Sequence, residues 1–254
     1  AVIYDGCQVN HHELQGNIWS NHAENPNNAL DDDGNGYVDD YWGWNSNTLD
    51  DNVAANGAGA HGTAVAGIVG ARGNNNTGVT GVSWNIKMMI IRNNFNTNEA
   101  NVLAAYGYAL KQRKIYNQTN GQAGAFVVAS NASWGLDNGQ ASQAPLWCAF
   151  YDTLGQHGIL NIAATTNNNV NVNTAGDLPT SCPSDYLVSV TNLNRFGTLF
   201  GGYGSSTIDL GTFGDGVYTL ANNSSYSAFG GTSGAAPHVA GAIALLYSAP
   251  CSGF

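Results

Sequence analysis

The chain has 254 residues, of which 43% are hydrophobic and only 9% charged, with a formal net charge of −10 and a pI near 4.6. The hydrophobic content is enough for a sizeable core and argues against intrinsic disorder. The acidity argues against nucleic acid or an anionic membrane as a partner, because both need a basic face, and no apolar run approaches the ~18 residues of a membrane-spanning helix.

Short apolar runs rich in β-branched residues alternate along the chain with amphipathic stretches, a pattern typical of a mainly parallel sheet flanked by helices. In chain order, the pattern predicts strands over residues 1–3, 86–92, 125–129, 159–164 and 187–191. It predicts helices over residues 62–71, 99–113, 141–157 and 233–247. No repeat or linker divides the chain, so we expect one three-layer α/β domain over residues 1–254.

Residues 21–59 form a long polar segment without periodicity, and loops of that length are usually functional or held by a ligand. Within it, alternating acidic and amide residues match the first half of an EF-hand calcium loop, although Trp42 stands where that loop needs glutamate. The candidate ligands are Asp31, Asp33, Asn35, the carbonyl of Tyr37, and Asp39. Clustered carboxylates repel one another unless a cation neutralises them, so we expect a structural calcium ion rather than a solvated acidic turn.

The four cysteines, at positions 7, 148, 182 and 251, lack the paired spacing of a zinc or redox site. An even count in a lysine-poor chain indicates two disulfides and an oxidising compartment, and three pairings are open. The chain starts with Ala-Val-Ile and without a signal peptide, as a processed exported protein would. We therefore expect an extracellular protein.

Two segments bear candidate catalytic side chains. Ser233 opens a small-residue helix, where the serine is either a simple N-cap or a nucleophile beside backbone N–H groups that can stabilise an oxyanion. The residues that follow it do not form the G-x-S-x-G turn of α/β-hydrolases. His61 also opens a small-residue helix, where it is either structural or a general base.

Five segments carry a more specific pattern: residues 1–14, residues 61–67, Ser133-Trp134-Gly135, residues 163–167 and residues 231–241. Taken in that order, they resemble the aspartate strand with its loop, the histidine motif, the substrate-lining strand, the oxyanion segment and the nucleophile motif of the subtilisin family of serine proteases. Thr166 stands in place of a glycine in the oxyanion segment, and Gly234 in place of a methionine in the nucleophile motif. Their order is also that of the family, and the resemblance covers essentially the whole chain. It implies a calcium-stabilised serine endopeptidase that acts on polypeptides. We separately expect a monomer.

The resemblance also implies residue roles. Ser233 would be the nucleophile, His61 its general base and Asp5 the acid, while Asn167 and the Ser233 N–H would bind the oxyanion. Ser133, Trp134 and Gly135 would pair with the substrate as an added strand. A second calcium ion would be held by Glu13, the side chain of Asn75, and the carbonyls of Gly73, Thr77 and Val79. Apart from the resemblance, the positions of the cysteines suggest a Cys7–Cys251 bridge that ties the two ends together, with Cys148 and Cys182, which flank the oxyanion strand, forming the other pair.

The catalytic acid departs from the family pattern. The family's aspartate lies seven residues before the histidine of the following loop, and counting back from His11 reaches Tyr4, not Asp5. Neighbouring strand residues point to opposite faces, so Asp5 reaches His61 only if the strand end bulges or slips. We take Asp5 as the acid; the alternative is that Tyr4 marks a lost acid or an error in the recorded sequence.

Two other functions remain open at this point. A peptide ligase or macrocyclase of the same fold would need a device that shields the acyl-enzyme from water. A calcium-dependent binding domain without catalysis would follow from Tyr4 in the acid's place.

Overall fold

The computed structural model describes residues 1–54 and 60–249. The strands are β1 (Val2–Tyr4), β2 (Trp44–Asn45), β3 (Ile90–Arg92), β4 (Ala129–Ala132), β5 (Leu136–Asp137), β6 (Leu160–Ala164), β7 (Asp177–Leu178), β8 (Leu187–Leu193), β9 (Leu210–Phe213), β10 (Val217–Ala221) and β11 (Ser225–Phe229). The helices are α1 (Ala60–Gly70), α2 (Glu99–Gln118), α3 (Pro145–Gln156), α4 (Val172–Ala175) and α5 (Thr232–Ser248).

Seven strands form the central sheet in the order β2-β3-β1-β4-β6-β8-β9, and every pairing in it is parallel. The helices α1 and α5 contact each other, as do α2 and α3, and both pairs contact strands of this sheet. The result is a three-layer α/β fold. Two antiparallel pairs, β10-β11 and β5-β7, stand outside the sheet.

The carboxyl ends of parallel strands meet at one edge of a sheet, and this arrangement brings distant parts of the chain together. β1 ends at Tyr4, β4 leads into Ser133, and β6 leads into Asn167. The helices α1 and α5, which begin near this edge, contribute His61 and Ser233. No helix in the described ranges has both the length and the apolar character to cross a membrane.

The predicted elements are confirmed in type, with corrections at their ends. The strand expected at residues 125–129 is Ala129–Ala132 instead, because apolar residues also line the approach to the strand. The strand expected at 86–92 is limited to Ile90–Arg92. The helix expected at 141–157 is a 3₁₀ turn followed by α3, which starts at Pro145, a residue that favours the first helical position.

The cysteines give one confirmed and one unconfirmed pairing. Cys148 on α3 is bonded to Cys182, as expected. Cys7 is a free, buried thiol in the described structure, and Cys251, the partner expected for it, lies outside the described residues. Cys7 instead packs into the hydrophobic core beside β1.

Candidate active site

The N-terminus of α5 holds Ser233 next to Asn167. Asn167 Oδ1 accepts hydrogen bonds from the Thr232 N–H at 2.9 Å and the Thr232 hydroxyl at 3.1 Å. Gly231, with φ of 79°, must be glycine here, because a β-carbon would lie 2.4 Å from Asn167 Oδ1. The amide orientation of Asn167 is therefore fixed. Its NH₂ group has no acceptor among the described residues, and the Ser233 N–H, in the first turn of α5, has none within the helix.

His61, in the first turn of α1, lies in an aromatic enclosure. Its ring stacks on Tyr4 with centroids 4.5 Å apart and meets the edge of Phe229 at 4.6 Å. Phe95 packs edge-on against both Tyr4 and His61. Burial lowers the pKa of His61 to about 4, so the imidazole is neutral and able to accept a proton at neutral pH.

The hydrogen bonds around His61 place Tyr4 between the predicted base and nucleophile. The Tyr4 hydroxyl lies 3.1 Å from His61 Nε2 and donates to the Ser133 carbonyl. Ser233 Oγ donates to the same carbonyl at 3.0 Å. Among the described residues, no hydrogen bond joins Ser233 directly to His61, and the buried His61 Nδ1 has no partner. The Ser133 carbonyl thus accepts hydrogen bonds from both the Tyr4 and the Ser233 hydroxyl.

Asp5 lies just beyond the end of β1, where the chain bends towards α1. Its Oδ1 accepts the Gly62 N–H at 2.9 Å and is not bonded to the imidazole of His61 in the described structure. The side chain is 5% exposed, and burial raises its pKa to about 6 although the Gly62 N–H opposes the shift. Asp5 therefore contacts α1, the helix of His61, at the neighbouring residue Gly62 and not at the imidazole ring.

The segment predicted to bind substrate lines a cavity of about 240 Å³ beside Ser233. Ser133, Trp134 and Gly135 form one wall, and residues 164–168 with Thr232 form another. Trp134 donates its indole N–H to the Ile3 carbonyl and stacks on Trp147, so its ring anchors this wall to the core. A β-carbon on Gly135 would lie 2.0 Å from the Leu178 carbonyl oxygen, so this position requires glycine.

A serine in the first turn of a helix, an adjacent asparagine amide and a neutral histidine across the sheet edge are the parts of an acyl-transfer site. The model of the subtilase family, Peptidase S8, matches residues 1–251. The chain belongs to the subtilase family. This assignment covers the nucleophile, histidine, strand and oxyanion segments in one match.

Curated subtilases match nearly the whole chain. Subtilisin-like protease 1 of Plasmodium falciparum is 29% identical over 283 residues, covering 98% of this chain and 37% of the relative. An extracellular protease of Xanthomonas campestris is 28% identical over 272 residues, covering 98% of this chain and 43% of the relative. The chain thus spans well under half the length of these relatives.

Solved structures show the same fold. A cold-adapted subtilisin-like serine proteinase superposes with a TM-score of 0.68 at 22% identity, covering 97% of this chain and 74% of the other. The nisin leader peptidase of Lactococcus lactis superposes with a TM-score of 0.66 at 18% identity, covering 96% of this chain and 76% of the other. This subtilase thus has the same fold as these solved subtilisin-like structures.

The acidic segment of this subtilase places three carboxylates in reach of one ion. Oxygens of Glu24, Asp31 and Asp33 lie within 4.8 Å of one another. Glu24 is 3% exposed, its Oε2 has no hydrogen-bond partner among the described residues, and burial raises its pKa. A buried, unpartnered carboxylate oxygen facing two further carboxylates fits a divalent cation. Sequence reasoning missed Glu24, because it lies outside the alternating acidic pattern.

The other predicted ligands of this segment have different partners. Asp39 accepts the backbone N–H groups of residues 28 and 29, and Tyr37 is half-buried against Trp44 and Tyr108. Asn35 donates its amide to Asp33 and Asp40. Asp40, fully buried, also accepts from Tyr108 at 2.7 Å and so ties the segment to α2. The segment is therefore attached to the core by Asp40.

The loop predicted to hold a second calcium ion closes around Glu13. Glu13 is fully buried, and its carboxylate accepts the Asn75 amide at 2.9 Å and the Val79 N–H at 3.0 Å. The Thr77 N–H in turn bonds to Asn75 Oδ1, and Gly73 lies against Trp84. The structure thus gathers Glu13, Asn75 and Val79, with N–H donors directed at the carboxylate.

Proposed function

We propose that the chain is an extracellular, calcium-stabilised serine endopeptidase that hydrolyses polypeptides through an acyl-enzyme. The observation that supports this best is Asn167, whose Oδ1 is held by Thr232 so that its amide can donate beside Ser233. An orientation fixed before the reaction is what oxyanion stabilisation requires. Hydrolysis of a denatured protein by the purified chain, with product masses that gain water, tests the proposal.

The mechanism begins when a peptide pairs with residues 133–135 as an added strand. Its backbone N–H competes for the Ser133 carbonyl, which now accepts from both Tyr4 and Ser233. Once released, Ser233 Oγ transfers its proton to His61 and attacks the scissile carbonyl. The Ser233 N–H and the Asn167 amide stabilise the oxyanion, and His61 returns the proton to the leaving amine.

We assign the acid to Asp5, the carboxylate beside the first turn of α1. Its hydrogen bond from the Gly62 N–H places it beside the residue that follows His61. His61 Nδ1 has no partner among the described residues, so it is the atom to which the Asp5 carboxylate would bond. A carboxylate bonded to Nδ1 would fix the tautomer and stabilise the imidazolium. This role requires the His61 ring to leave its stack on Tyr4 when substrate enters.

Replacing Asn167 with alanine is expected to lower kcat by about 10²- to 10³-fold with little change in KM, because the lost donor acts on charge that develops in the transition state. Steady-state kinetics on one peptide substrate measures the effect. Asn173→Ala, an exposed amide on α4, is the matched control and should leave kcat unchanged. Equal losses in the two variants would contradict the oxyanion role.

Calcium is proposed to bind at Glu24, Asp31 and Asp33, and a second ion to bind near Glu13. The first site is supported by Glu24 Oε2, a buried oxygen that has no hydrogen-bond partner among the described residues. At that site, the ion would neutralise carboxylates that otherwise repel, and it would order the segment between β1 and α1. Neither ion takes part in the chemistry at Ser233.

Chelation of calcium is expected to lower the melting temperature while leaving the labelling of Ser233 at low temperature intact. An ion that binds only the folded state stabilises it by about 2.7 kcal/mol at a hundredfold excess over its Kd. Differential scanning calorimetry in calcium and in chelator measures this. Glu24→Gln should remove most of the calcium-dependent shift, and equal melting temperatures with and without calcium would contradict the site.

A second candidate function is peptide binding without efficient catalysis. The observation in its favour is Tyr4, which stacks on His61 and places a hydroxyl at Nε2 where the nucleophile should be. In that case the chain would bind peptides in the cavity beside Ser233 and cleave none. Binding of a peptide without its hydrolysis would favour this function.

A further inference from the structure

The cavity beside Ser233 is lined by a buried carboxylate that the mechanism does not use. Asp177, on β7, lines this cavity and is 2% exposed. Three donors, the Thr165 and Thr180 hydroxyls and the Thr166 N–H, all bond to its Oδ2. Oδ1 has no hydrogen-bond donor among the residues that the structure describes, which leaves an anionic oxygen for whatever enters the cavity.

A second carboxylate faces the same space. Asp137 also lines the cavity and lies directly opposite Asp177 in the antiparallel pairing of β5 with β7. Like charges directly opposite one another on neighbouring strands are destabilising, so this pairing favours a cation between them. The described residues that line the cavity include no lysine, arginine or histidine, and among them Asp137 accepts a hydrogen bond from the neutral Asn168 amide at 2.8 Å.

We infer that this cavity receives an arginine or lysine side chain of the substrate, at the residue immediately before the scissile bond, and that Asp177 determines this preference. Ser233 and Asn167 line the same cavity as Asp177, so a peptide whose scissile carbonyl lies at Ser233 can place its preceding side chain there. The inference rests on the proposed function, because it assumes that substrates are cleaved at Ser233.

The chemistry of Asp177 supports a cationic side chain over a neutral one. Its threonine donors fix the carboxylate in place, so it needs little reordering when a cation binds. Burial, reinforced by the charge of Asp137, raises the pKa of Asp177 to about 6. Among the described residues, Asp137 is the charged side chain whose electrostatic repulsion raises the pKa of Asp177. Asp177 is therefore increasingly ionised above pH 6, and the preference should strengthen between pH 5 and pH 7.

The test uses four p-nitroanilide tetrapeptides that differ only in their last residue: arginine, lysine, leucine or glutamate. The arginine and lysine peptides are expected to show kcat/KM about 10- to 100-fold above the leucine peptide, the range of a charge-assisted hydrogen bond, with glutamate lowest. Asp177→Asn should remove most of that advantage, measured as the ratio of arginine to leucine kcat/KM within the variant, so that a loss common to all four peptides cancels. Asp185→Asn, an exposed aspartate outside the cavity, is the matched control.

The possible outcomes separate this inference from the proposed function. Cleavage of all peptides with leucine equal to or above arginine would overturn the inference and leave the peptidase intact. If no peptide is cleaved, the proposed function fails, and calorimetry with the product acids ending in arginine and leucine then tests the cavity directly. Tighter binding of the arginine product, lost in Asp177→Asn, supports the inference; equal binding overturns it.

Discussion

Replacing Ser233 with alanine is expected to lower turnover of a denatured protein by at least about 10⁴-fold, because the acyl-enzyme cannot form without the nucleophile. The variant should still fold, since the hydroxyl that is lost donates, among the described residues, to the Ser133 carbonyl. Turnover is followed by the release of new amino groups. Ser206→Ala, an exposed serine, is the control and should retain full turnover.

The measured loss distinguishes the proposed function from contamination and from binding alone. Turnover in Ser233→Ala that equals the unaltered chain would contradict the mechanism. Retained binding of peptide products by the variant would show that the cavity beside Ser233 persists without the nucleophile.

The second large effect concerns the acid. If Asp5 orients His61 during the reaction, Asp5→Asn is expected to lower kcat by about 10⁴-fold at neutral pH, and Tyr4→Phe should change it little. If Tyr4 instead fills the acid's place, Asp5→Asn should be nearly silent and Tyr4→Asp should raise kcat by several orders of magnitude. The two alternatives therefore predict opposite rankings of kcat for the three variants. Steady-state kinetics, with Asp185→Asn as the control, decides between them.

The pH profile gives this comparison an independent readout. Burial lowers the pKa of His61 to about 4, so the unaltered chain should keep its base deprotonated down to about pH 4. A carboxylate that contacts the ring favours imidazolium and raises the pKa, so Tyr4→Asp should move the acidic limb of kcat/KM to higher pH. An unchanged limb would show that the new carboxylate does not reach His61.

The fold could be predicted from the sequence because apolar runs and small-residue helices specify a parallel sheet with helices on both faces. The ends of the strands could not be predicted, because buried apolar residues continue from the loop at Ala125 and Val127 into β4. Short strands such as β5 and β7 carry too few residues for a period to show. Their pairing depends instead on the path of the chain around Asp177.

The sequence also predicted which segments meet at the sheet edge, but not the contacts within them. Tyr4 and Asp5 are adjacent, and only the bend after β1 shows that Asp5 turns towards Gly62 while Tyr4 stacks on His61. Glu24 lies seven residues before Asp31, and a fold in the loop joins them. Asp177 sits in no motif, so its place in the cavity depended on tertiary structure.

The most direct test of the central claim is to treat the active chain with a serine-directed phosphonylating reagent and to map the adduct by peptide mass spectrometry. A neutral His61 and a prepared oxyanion site should make Ser233 the one serine that reacts, with activity lost in proportion to labelling. We predict a single adduct on Ser233. Active protein that carries no adduct, or an adduct on another serine, would contradict the assignment of Ser233 as the nucleophile.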